Sequence, residues 1–193
     1  MSRAGFNPSG AKLKGVGATT CLRGFIAHYH SAPLASVVDK IHAAYTLTTA
    51  QDVTAGITQP DVPRVLSITG TMAGASLTGD VTIYGTDASG ASINEAIALN
   101  NNATVAGLQA FKTITKIHFP AKVTTADTVK VGTTDALGLI HCLTLECIVN
   151  HYKNNVKETT APTVTMSATV LSLNTVKPHT TINGDAVDIL YII

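Results

Sequence analysis

Three stretches decide the fold: ITQPDVPRVLSIT (57–69), GDVTIYGTDASGASINEAIAL (79–99) and FKTITKIHF (111–119). Each is a short apolar/polar alternation cut by Gly, Asn, Asp or Pro. A period of two sends successive side chains to opposite faces, the pattern of half-buried β-strands. Working outward, the same pattern predicts strands near 65–69, 80–85, 92–99, 111–119, 128–132, 139–150, 163–166 and 186–193. Residues 34–47 (LASVVDKIHAAYTL) carry apolar side chains at Leu34, Val37, Val38, Ile41, Ala44 and Tyr45, which fits one short helix or two short strands.

Turn chemistry supplies the joints. The run 85–90 (GTDASG) links two strands as a hairpin, and Asn100, Asn101 and Asn102 close the second of them. Asn154-Asn155 suits the left-handed pair of a type I′ turn, and Asn183-Gly184 makes a further tight turn before the last strand. Short strands at this spacing make a mainly β chain, an antiparallel β-sandwich or barrel-like domain preceded by an extended N-terminal arm. The domain is expected over 46–193, and the arm, with its possible short helix, over 1–45. Phe111, Thr113, Thr115, Ile117 and Phe119 form the expected core face of 111–119, with Lys112, Ile114, Lys116 and His118 opposite. Val187, Ile189 and Tyr191 are expected to point inward from the closing strand.

Composition points away from chemistry. Of 193 residues only 13% are charged, and Thr recurs in pairs at 124–125, 133–134, 159–160 and 180–181. Thr combines a stiff β-branched side chain with a hydroxyl, giving a wettable sheet surface without charge. A net charge of +1 gives no general attraction to nucleic acid or to a membrane surface. The charge is unevenly placed, because residues 1–38 hold Arg3, Lys12, Lys14 and Arg23 and no acid. With its many glycines, this opening reads as a basic extended arm that follows a partner's surface. Arg3, Lys12, Lys14 and Arg23 would steer the encounter, and Phe6, Leu13, Leu22, Phe25 and Ile26 would anchor it. Residues 1–20 lack the continuous apolar core of a signal peptide, and no run approaches the roughly 20 apolar residues of a membrane span. A soluble chain made in the cytoplasm is expected.

No catalytic set stands out, so no catalytic residue and no cofactor is assigned. Glu95, Glu146 and Glu158 are the only glutamates and lie far apart in the sequence. The Gly85–Gly90 loop lacks the Lys and helix of a phosphate-binding loop. Cys21, Cys142 and Cys147 read as free, mostly buried thiols. His141, Cys142, Cys147 and His151 have the atom types of a zinc site, but on one regular strand Cys142 and Cys147 face opposite ways. His28 and His30 share a face if their segment is extended, yet no third ligand stands nearby in the sequence. The expected metal-ligand set is therefore none.

Segments 57–64 (ITQPDVPR), 85–95 (GTDASGASINE) and 110–120 (AFKTITKIHFP) resemble structural proteins of tailed-bacteriophage virions. Segments 135–139 (DALGL), 155–160 (NVKETT) and 187–191 (VDILY) are similar to the same group. The resemblance spans 46–193; it does not account for the arm or for the His/Cys cluster. It implies a non-enzymatic capsid decoration (cement) protein on the outer surface of the virion. It also implies, as partners, the major capsid protein and further copies of the chain as a homotrimer, with no membrane and no direct nucleic-acid contact. A tail-tube, neck or fibre component is the alternative, and a non-viral β-sandwich binding module or small enzyme stands outside the resemblance.

Overall fold

The computed structural model describes residues 11–13, 22–72, 77–121, 127–146 and 148–193. Among them the regular structure is β throughout, apart from one 3-10 turn at Leu171–Leu173. The strands are β1 (Ala11–Leu13), β2 (Leu22–Gly24), β3 (Ile26–Ser31), β4 (His42–Thr46), β5 (Gln51–Val53), β6 (Arg64–Thr71), β7 (Asp80–Thr86) and β8 (Ser92–Ala98). They continue as β9 (Thr104–Phe111), β10 (Thr113–Phe119), β11 (Thr128–Gly138), β12 (Ile148–Lys153), β13 (Val156–Lys157), β14 (Thr163–Thr165), β15 (Thr175–Lys177) and β16 (Val187–Ile192). Every strand pairing among them is antiparallel.

Four sheets follow from the pairing, the smallest being the β1-β2 pair. The central one runs β14-β15-β11-β6-β9, with β4 also on β11; the second runs β5-β10-β7-β8; the C-terminal one runs β13-β12-β16-β3. The central and second sheets enclose the larger core. Leu66 and Ile68 of β6 and Val129 and Val131 of β11 meet Val81, Ile83, Ile97, Ile114, Ile117 and Phe119 of the second sheet. This is a sandwich, with alternating inward side chains from two facing sheets. A smaller core lies under the C-terminal sheet, where Ala27, Val187, Ile189 and Tyr191 pack with Leu137, Leu139, Leu143, Val176 and Ile182. Strand β11 serves both, offering Val129 and Val131 to one core and Leu137 to the other.

The inward residues expected of the two diagnostic segments are where alternation puts them: Phe111, Ile117, Phe119, Ile189 and Tyr191 are fully buried and Val187 nearly so. The expected face of 111–119 is nonetheless wrong in detail. Thr113 and Thr115 are exposed and Ile114 is buried. The segment is two strands, β9 ending at Phe111 and β10 starting at Thr113, and β10 shifts register against β7 between Ile114 and Lys116. A bulge there adds one residue and turns the strand over, so Ile114 and Ile117, three apart, share the core.

The expected arm also ends earlier than residue 45. β3 pairs with the last strand from Ile26↔Ile192 to Ser31↔Val187, and β4 pairs with β11. Ile41, just before β4, is buried in the larger core. Residues 34–47 thus form a turn and a strand and no helix. The expected strand over 139–150 begins only at Ile148, preceded by a loop in which Leu139 and Leu143 reach the smaller core. The buried Asn174 side chain holds that loop: its Oδ1 accepts from the N–H of Leu143 (2.8 Å) and Ser167 (3.0 Å), while its Nδ2 donates to the carbonyls of Ser167 (2.9 Å) and Val170 (2.8 Å). The anticipated turns are present. Asn154 and Asn155 take φ of 49° and 63° between β12 and β13, and Asn102 and Gly184 are also left-handed.

Candidate functional site

The outer face of the C-terminal sheet gathers the most concentrated chemistry. Alternation along β3 (IAHYHS) buries Ala27 and turns Ile26, His28 and His30 outward. Along β16 (VDILYI) it buries Val187, Ile189 and Tyr191 and turns Asp188, Leu190 and Ile192 outward. The antiparallel register sets His30 opposite Asp188 and His28 opposite Leu190, one diagonal step from Asp188. Both imidazoles converge on one oxygen, with Asp188 Oδ1 2.7 Å from His30 Nδ1 and 2.8 Å from His28 Nε2. On the other side of β16, Tyr152 of β12 stands in register with Asp188.

The three side chains differ in their contact with water. Side-chain exposure is 52% for His28, 63% for His30 and 18% for Asp188, so the carboxylate forms the floor and the rings form the rim. Burial alone would raise the Asp188 pKa, but the hydrogen bonds from His30 and then His28 outweigh it and hold the carboxyl below its ordinary value. The carboxylate is therefore ionised near neutrality. One atom from each residue lies within 4.8 Å of the others, and this is the one group among the described residues whose donor atoms could share an ion.

The sequence identified His28 and His30 as a pair without a third ligand; the fold supplies it from 158 residues away. The signal available in the sequence was Asp188, the one charged residue in the apolar closing strand and on its outward phase. The described members of the other suggested cluster do not come together. His141 accepts or donates at 2.8 Å to the Tyr191 hydroxyl, Cys142 is an exposed free thiol, and His151 is buried with its Nε2 3.1 Å from Glu158 Oε2, outside hydrogen-bond geometry. Cys147 and Cys21 lie outside the described residues. The expectation of a buried thiol at Cys142 thus fails, because that residue sits in the loop after β11.

Of the arm's proposed contact residues, Arg3, Phe6 and Lys14 lie outside the described residues. Lys12↔Arg23 and Leu13↔Leu22 are partners in the β1–β2 pair. Phe25 and Ile26 are each 60% exposed. Phe25 exchanges both main-chain hydrogen bonds with Ile193, which is itself exposed, so three exposed apolar residues, Phe25, Ile26 and Ile193, stand at one end of the C-terminal sheet. A cleft of about 530 Å³ opens beside β13. Beside it Lys153 Nζ lies 3.0 Å from Asp185, to whose carboxylate Asn154 Nδ2 also donates at 2.6 Å.

A different cluster fixes the entry to β6. The Arg64 guanidinium is almost wholly buried and donates to Asp61 (2.9 Å), to the Leu34 carbonyl (3.0 Å) and to the Thr134 carbonyl (2.8 Å), with Asp135 3.7 Å away. Burial pushes the Asp61 pKa up, while the Leu34 N–H and Arg64 together bring it below its ordinary value. This arrangement ties residues 34, 61 and 134 together.

No family model and no curated protein matches the chain. A search of solved structures finds similarity to a chain of one described as "Structure of infectious bursal disease virus Gx strain", at 11% identity and a TM-score of 0.22. That alignment covers 95% of this chain and 46% of the other, so this chain spans about half the length of the one it matches. No helix among the described residues is long and apolar enough to cross a membrane.

Proposed function

We propose that the chain is a non-enzymatic structural component of a virus particle, a decoration protein that binds the outer capsid surface of a tailed phage across neighbouring major capsid subunits. The observation that carries this reading is the phrasing of 57–64, 85–95 and 110–120, which resembles virion structural proteins and falls in one body of the fold. The first enters β6, the second is the β7–β8 hairpin, and the third is β10 with its flanks. An exterior with little charge and with Phe25, Ile26 and Ile193 exposed together suits a protein largely covered by neighbours.

The role is physically coherent. A protein that binds only the assembled shell shifts the assembly equilibrium toward it. A homotrimer would multiply individually weak contacts, since the second and third attachments become intramolecular. The basic segment before Phe25 would approach acidic capsid surface, and the exposed apolar residues would hold it there. A tail-tube, neck or fibre subunit is the second reading, favoured by any tendency of the isolated protein to stack into rings.

Co-sedimentation with capsids tests the proposal. The full chain should saturate capsids, and Phe25→Ser with Ile26→Ser should weaken binding at least about tenfold, as for loss of anchor residues at an interface centre. Removing residues 1–21, which leaves β3 in place, should also weaken it. Unchanged binding by both variants would move attachment elsewhere on the sandwich. No binding by the full chain would remove the decoration reading.

A further inference from the structure

We propose that His28, His30 and Asp188 form a binding site for one first-row divalent transition ion, zinc foremost, on the outer face of the C-terminal sheet. The proposal is independent of the virion reading. It rests on convergence, since two imidazole nitrogens and a carboxylate oxygen from the two ends of the chain point at one place. Two nitrogens and one oxygen suit zinc and its first-row neighbours, whereas calcium and magnesium favour oxygen-only sets.

The geometry needs only a small adjustment. Zinc takes nitrogen at about 2.0–2.1 Å and carboxylate oxygen at about 2.0–2.2 Å, so tetrahedral ligand atoms stand about 3.4 Å apart. The present separations of 2.7 and 2.8 Å are those of hydrogen bonds to a shared oxygen. Opening them by about 0.6–0.7 Å requires rotation of two exposed rings, while Asp188, on the central strand β16, stays fixed. Binding would require each ring to present a nitrogen without hydrogen, so a neutral ring takes the tautomer with its N–H on the other nitrogen, and the ion's charge takes the place of those hydrogen bonds. With three protein ligands, one position is left to water or to a donor from outside the chain. The scaffold is rigid on both sides, because β3 and β16 are paired over six consecutive residues. A bound ion would therefore clasp β3 to the last strand.

The test uses the full chain after treatment with chelator. Zinc chloride is titrated calorimetrically, and cobalt chloride is followed by visible absorption. The expected result is one ion per chain, a raised melting temperature on loading, and a cobalt spectrum without a thiolate charge-transfer band. His28→Ala and His30→Ala should each weaken binding by at least about a hundredfold, the upper end of the effect of groups one step removed from the metal. Asp188→Asn should do likewise. His118→Ala and Cys142→Ser should bind as the parent does. Because both histidines are exposed, their variants should fold, which circular dichroism checks. No saturable binding, binding retained in the double histidine variant, or a thiolate band lost in Cys142→Ser would overturn the site. The first of these outcomes would leave the trio as a carboxylate hydrogen-bonded by two imidazoles.

Discussion

Single residues in this molecule act mainly by what they bury. Ile117 is fully buried between the central and second sheets, and Ile117→Ala should cost about 2–5 kcal/mol in urea unfolding. Thr115, two residues back and exposed, should tolerate Ala within about 0.5 kcal/mol. Equal costs would mean the bulge in β10 has been misplaced. Asn174 acts through hydrogen bonds, and replacing it with Ala would strand the buried Leu143 N–H at a cost of about 1–3 kcal/mol for that group alone. The Arg64 cluster adds a pH dependence. Asp61 has a folded-state pKa below its ordinary value, so it contributes stability above the unfolded value, lost as pH falls through the lowered one. Unfolding midpoints measured from pH 6 downward should therefore fall less steeply in Asp61→Asn than in the parent. Ile117, Phe119 and Ile189 were legible from alternation alone. Ile114 was not, because a bulge is set by the pairing with β7 and leaves no mark in the hydrophobic pattern.

At the scale of elements, turns were more legible than edges. Asn154 and Asn155 both adopt the left-handed conformation their positions suggested. Asn155→Gly should be close to neutral, and Asn155→Val should cost about 1–2 kcal/mol, since a β-branched residue resists positive φ. Thermal melts of the two variants would check this. Strand β9 escaped the sequence reading because TVAGLQAF is only weakly alternating. It is held by Glu95 of β8, whose carboxylate accepts the N–H groups of Leu108 and Gln109 across the space left by Gly107. β3 was hidden for a related reason: a six-residue strand with two outward histidines resembles an extended arm until its partner is known. Deleting residues 1–31 should lower the melting temperature by removing a strand of the C-terminal sheet, whereas deleting 1–21 leaves that strand paired. Equal melting temperatures for the two truncations would show that β3 contributes nothing to the folded domain.

Across the whole molecule, the β architecture could be read from local pattern, but the His28/His30/Asp188 trio could not. Its members lie at opposite ends of the chain and meet only through the β3–β16 register. The proposed function stands in the same relation to sequence, since a covering protein would need a surface that fits its neighbours more than a signature of reactive groups. Two sheets closed over a well-filled core, a third with exposed apolar residues at one end, and a chain with only 13% charged residues suit the proposed role of a part packed against neighbours. The most direct measurement is imaging of virus particles assembled with and without this chain. The account predicts added density on the outer capsid, over the junctions between major capsid subunits, that is missing when the chain is absent. Particles with unchanged capsid surfaces, or density confined to the tail, would contradict it.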